Sequence, residues 1–128
     1  MSLKGRSGYL LLGISTCFLL GIFWLVVSTI QTNQAIQQQE LDRGVVTIAT
    51  NEERALVFYK DDCPDCQKIF PELYKENLAH DNLLFINLNQ PKNKGYIAKY
   101  QLETVPTIVT PNGRYAGTDT KKIQQLLK

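Results

Sequence analysis

From Gly8 to Ile30 the chain reads GYLLLGISTCFLLGIFWLVVSTI, 23 consecutive residues without a charged side chain. As an α-helix rising about 1.5 Å per residue, this run is about 35 Å long, enough to cross a hydrocarbon layer of about 30 Å. It reads as a membrane span, so only the remainder is left to build a folded domain. Lys4 and Arg6 precede the run, and QTNQAIQQQELDRG after it is uncharged until Glu40. The positive-inside rule then puts residues 1–7 in the cytoplasm and residues 31–128 outside the cell membrane, as a single-pass protein.

A cleaved signal peptide competes with this reading, because Val26 and Ser28 are small enough for a weak cleavage site. The apolar run, however, exceeds the usual h-region of about 7–15 residues, which favours an uncleaved anchor. ISTC at 14–17 has the outline of a lipobox, but apolar residues continue past Cys17 and Thr16 is a poor residue before a modified cysteine. Gly13, Cys17 and Gly21 recur every four residues and share one face of the span, a spacing that allows a homodimer contact through close helix approach. A thiol in hydrocarbon is poorly ionised, which keeps Cys17 out of the chemistry.

Of the 14 basic and 12 acidic residues, Lys4 and Arg6 lie before the span, so the chain from residue 31 onward is neutral at 12 against 12. With no basic stripe and no aromatic residues interleaved with arginines, nucleic-acid binding is excluded. Residues 31–43 are polar and glutamine-rich, a stalk that continues the helix or a linker. Beyond Gly44, VVTIA (45–49), ALVFY (55–59), LLFINL (83–88), TIVT (107–110) and RYAG after the Asn112-Gly113 turn have the composition of strands. Ile69, Phe70, Leu73, Tyr74 and Leu78 recur at helical spacing over 66–79, with Pro71 inside. Residues 94–102 form a short helix, and 118–128 a last one capped by Thr118 or Asp119. Helices between strands require parallel neighbours and the hairpin adds an antiparallel edge, so residues 44–128 form an α/β domain with a mixed central sheet flanked by helices.

The chemistry concentrates in DDCPDCQKIFP, residues 61–71. Cys63 follows a strand directly and Cys66 begins a helix, whose N-terminus carries about half a positive charge and unpaired N–H groups that stabilise a thiolate. Cys63 is then the attacking sulfur, and Cys66, one turn further and less accessible, the resolving one. A static disulfide is the competing structural reading, since an extracytoplasmic location would preserve it. Zinc needs about four ligands, and beyond this pair the chain offers only His80, nearby aspartates and the membrane-buried Cys17, so no metal is expected.

Together with Pro71 five positions after the second cysteine and TVPT at 104–107 before a strand, CPDC makes residues 44–128 resemble the thioredoxin family. The resemblance implies a trimmed thioredoxin-like fold, preceded here by a single transmembrane helix, with Pro106 in the cis form facing the cysteine pair. It also implies that the backbone of Val105 pairs with the substrate peptide in the mixed disulfide. Three departures matter. The buried aspartate and its lysine partner, which assist proton transfer at the second cysteine in thioredoxin, are replaced at the aligned positions by Val57 and Phe85. The tryptophan before the first cysteine is Asp62, and the helix between the first two strands is reduced to TNEE.

Between the cysteines, Pro64 and Asp65 tune the pair, and Asp61, Asp62 and Asp65 oppose the helix dipole, with Lys60 the only close cation in sequence. A less stable thiolate makes the disulfide more stable, so the expected potential lies toward the reducing or isomerising end. The expected protein is a bacterial, membrane-anchored thiol–disulfide oxidoreductase that needs no cofactor. It acts on protein thiols or disulfides outside the membrane, and an unidentified redox partner recycles it. It is similar to small anchored thioredoxin-like proteins of bacteriocin and conjugation systems. The alternative is a non-catalytic accessory module that binds a membrane or secretion partner and whose cysteines form a structural bridge.

Overall fold

The computed structural model describes residues 4–128, with side chains from Ser15 onward. Residues 1–3 of the expected cytoplasmic segment, and the side chains of Lys4 and Arg6, lie outside the described residues. The first element, α1, runs Lys4–Leu41, so the glutamine-rich stretch is helical almost to its end. Among the described residues, one helix, near the N-terminus, is long and apolar enough to cross a membrane. Phe18, Phe23 and Trp24 on it are each more than two-thirds exposed, so this apolar surface is not spent on a protein core.

The chain forms two units, Met1–Ala35 and Ile36–Lys128. In the second, β1 (Ala55–Tyr59), α2 (Pro64–His80), β2 (Leu83–Asn87), α3 (Gly95–Lys99), β3 (Thr107–Thr110), β4 (Gly113–Ala116) and α4 (Thr120–Leu126) follow in order, with a 3₁₀ turn at Pro91–Lys94. The sheet order is β2-β1-β3-β4. β1 pairs parallel with β2 and antiparallel with β3, and β3 with β4 closes the hairpin at Thr110 and Gly113. The mixed sheet is the expected one, because the α2 crossover forces parallel pairing and the two-residue turn forces antiparallel pairing.

All five residues of β1 are buried because side chains alternate between two covered faces. Ala55, Val57 and Tyr59 join Cys66, Ile69, Phe70, Leu73, Phe85 and Ile123 on one face. Leu56 and Phe58 join Ile86 and Leu88 on the other, where Tyr96 and Tyr100 pack. Ile36 is buried in the first of these clusters, so the last turns of α1 contribute to the core.

Five elements have bounds that differ from the sequence reading. α2 starts at Pro64, whose fixed φ suits the first helical position. Its β2 neighbour ends at Asn87, and the expected helix over 94–102 is a 3₁₀ turn followed by the five residues of α3. β4 is Gly113–Ala116 rather than 114–117, and α4 runs Thr120–Leu126 rather than 118–128, capped by Asp119, one of the two expected caps, which accepts from Lys121 and Lys122 N–H.

The larger correction is at 45–49, which is not a strand. Its polar backbone is taken by side chains. The Asn93 amide accepts from Val46 N–H at 3.0 Å and donates to Gly44 C=O at 3.0 Å, while the Tyr96 hydroxyl accepts from Ile48 N–H and donates to Val46 C=O. A side-chain amide thus presents the donor and acceptor that a neighbouring strand would, and the apolar Val46 and Ile48 still reach the core.

Candidate active site

β1 delivers the chain to the start of α2, and the residues between them close a turn in which Cys63 N–H bonds to Lys60 C=O at 3.3 Å. Cys63 is the N-cap of α2, with extended backbone angles and a sulfur that accepts from Cys66 N–H at 3.3 Å. Ser, Thr, Asp or Asn usually supply that acceptor. Here the atom that caps the helix is also the candidate nucleophile, so the helix's free N–H group points at the charge a thiolate would carry.

Cys63 is partly exposed, whereas Cys66 is 1% exposed, packed with Ile69, Phe70 and Val57. Burial first, and then the hydrogen bond to Cys63, push the Cys66 thiol up to about 12. One cysteine is therefore partly reachable from solvent, and burial of the other favours its protonated form. Opposite the pair, the Val105–Pro106 peptide bond is cis. The Cys63 thiol donates to Val105 C=O at 3.7 Å, and Pro106 is fully buried beside it. Val57 and Phe85 are direct register partners on β1 and β2, both in the apolar cluster that covers Cys66. No carboxylate occupies either position.

The aspartates do not behave alike. Asp61 is buried, and Arg43 holds it with two bonds, Nε to Oδ2 at 2.6 Å and Nη2 to Oδ1 at 3.1 Å. Asn89 donates to both Asp61 Oδ1 and Asp62 Oδ1, the latter at 2.8 Å. The Arg43 guanidinium, chiefly, and Asn89 hold the Asp61 carboxyl below the usual carboxylate range despite its burial. Asp65 and Pro64 are exposed in the first turn of α2. Lys60 is thus not the only close cation. Arg43 and Asn89 were missed because they lie 18 and 28 residues from Asp61. The available signal was that Arg43 is the sole basic residue between Arg6 and Arg54.

His80 lies at the far end of α2, 17 residues from Cys63 and so about 25 Å along the helix axis, too far to share a metal with the cysteines. It is exposed, with Nε2 3.8 Å from Glu76.

The family model described as thioredoxin matches residues 33–128. Among solved structures, thioredoxin f2 of Chlamydomonas reinhardtii superposes with a TM-score of 0.51 at 22% identity, covering 61% of this chain and 80% of that one. Thioredoxin of Fasciola hepatica does so with a TM-score of 0.50 at 21% identity, covering 60% and 81%. No curated protein sequence matches this chain. At these identities the structural likeness speaks for the fold.

Proposed function

Because the chain belongs to the thioredoxin family, we propose that it is a membrane-anchored thiol–disulfide oxidoreductase that reduces, isomerises or forms disulfides in proteins outside the cell membrane. The observation that carries this reading is the position of Cys63. Cys63 is partly exposed, and its sulfur caps α2 and lies 3.7 Å from the carbonyl before the cis-proline, with Cys66 buried behind it. A structural bridge would need neither the exposure nor the cap.

In the reductive direction, Cys63 thiolate attacks one sulfur of a client disulfide. The client S–S bond breaks, a Cys63–client bond forms, and the other client sulfur leaves as thiolate. The extended client segment runs beside Val105, whose backbone carbonyl is available to pair with it. Cys66 then attacks the Cys63 sulfur, and its proton passes to the client thiolate released in the first step, because Val57 and Phe85 supply no base. The second client sulfur leaves, two electrons have moved to the client, and Cys63 and Cys66 are joined. A dithiol partner returns the pair to the reduced form, and oxidation of a client dithiol is the reverse sequence.

Equilibrating the full chain in detergent micelles against glutathione buffers tests the reading. A Cys63–Cys66 potential between about −270 and −120 mV, with turnover of a model disulfide, is the expected result. A potential well below about −300 mV without exchange would instead make the bridge structural and the domain a binding module.

A further inference from the structure

Asp61 is a carboxylate with a side chain 3% exposed, two residues before the nucleophile, and such a group is costly unless paired. Its two oxygens are fully engaged, Oδ2 by Arg43 Nε and Oδ1 by Arg43 Nη2 and Asn89 Nδ2. Its backbone carbonyl accepts from Gln67 Nε2 at 2.8 Å, which ties the turn to the first turns of α2. Arg43 is itself held, since Gln90 donates to its carbonyl. The residue beside it is held too: Asn87 donates to Asp42 C=O at 3.1 Å. The cation that neutralises the acidic side of CPDC therefore comes from the two residues after α1, and its geometry is fixed from both sides.

We propose that Arg43 is a positioning residue for the thiol–disulfide reaction. By pairing with Asp61 it cancels one of the three carboxylates flanking the pair, and so acts on Cys63 through Asp61. This rests on the oxidoreductase reading of the same site. Without the guanidinium, Asp61 becomes an unpaired negative charge near a developing thiolate, which the Cys63 sulfur then forms less readily. Asp62, bonded by Asn89, and the exposed Asp65 remain as the acidic background in either case.

The test compares Arg43→Gln, Arg43→Lys, Asp61→Asn and the Arg43→Gln/Asp61→Asn pair in the full chain in micelles. The readout is the rate at which iodoacetamide labels Cys63 at pH 7, located by mass spectrometry. Iodoacetamide is neutral, so the rate follows the thiolate fraction rather than steering. Arg43→Gln lowers the rate about fivefold or more, as one uncompensated charge at about 8 Å does through an effective dielectric of about 40. Arg43→Lys keeps most of the rate, Asp61→Asn raises it, and the double variant returns close to the parent. The double variant and Asp61→Asn leave no unpaired buried carboxylate, so both fold even if Arg43→Gln does not. A rate unchanged within about twofold in folded Arg43→Gln, or a loss that persists undiminished when Asp61 is also Asn, overturns the proposal. If the parent turns over no disulfide, the enzyme reading fails, while the labelling rates still report whether Arg43 acts on Cys63 through Asp61.

Discussion

At the β1–α2 junction, strand ladders, an i to i+3 turn and one sulfur satisfy the backbone, whereas residues 44–48 on the other side of β1 are satisfied by the side chains of Asn93 and Tyr96. Both segments bring apolar residues to the core. The junction's backbone draws its hydrogen bonds from neighbours a few residues away and from a ladder that many residues share. The strap over 44–48 hangs on two side chains 47 to 50 residues further on. A ladder tolerates changes of side chain because its bonds are backbone bonds, and the strap does not.

Urea unfolding of the full chain in micelles can break this contrast. Phe70 anchors the junction from beneath, 1% exposed, with ring centroids 4.9 Å from Tyr59 and 5.0 Å from Phe85. Phe70→Ala is expected to cost about 3–5 kcal/mol and to loosen Cys66 with it. Asn93→Leu is expected to cost about 2–3 kcal/mol, because Asn93 is fully buried and its loss strands the groups at Gly44, Val46 and Asn87. If it costs as much as Phe70→Ala, the strap is no less central than the core, and the contrast fails. Tyr96→Phe keeps the ring on Phe58 and removes only the hydroxyl's two bonds, so about 1 kcal/mol is expected. The smallest effect at ordinary pH is at Cys66. Between the usual thiol value near 9 and about 12, the unfolded reduced chain has released this proton and the folded chain has kept it. Stability that is present below about pH 9 is therefore lost as the pH rises through that window, and Cys66→Ala removes that part of the slope.

The same contrast explains what could be read from the sequence. β1, α2 and the β3–β4 hairpin carry their instructions locally, in β-branched runs, three-and-four spacing and a turn pair, and all three formed. Resemblance supplied the cis form of Pro106 and the pairing position of Val57 with Phe85, which no local pattern encodes. VVTIA has strand composition, but composition does not say whether a neighbouring backbone or an asparagine will meet its N–H groups. The acidic neighbourhood of Cys63 was legible as three aspartates, and its charge was not. Asp61 is neutralised across 18 residues by an arginine that stands between Asp42 and Gly44 and carries no local sign of its partner.

In the proposed reaction, the sulfur that caps α2 is also the atom that changes its covalent partner. In the dithiol state the helix ends on its own cysteine, and in the mixed disulfide that cysteine belongs covalently to the client as well. Each turnover of the proposed reaction therefore changes the chemical identity of the atom that caps a helix. The Cys66 amide, bonded to that sulfur, becomes a built-in reporter whose NMR resonance moves with every change in what the sulfur is joined to.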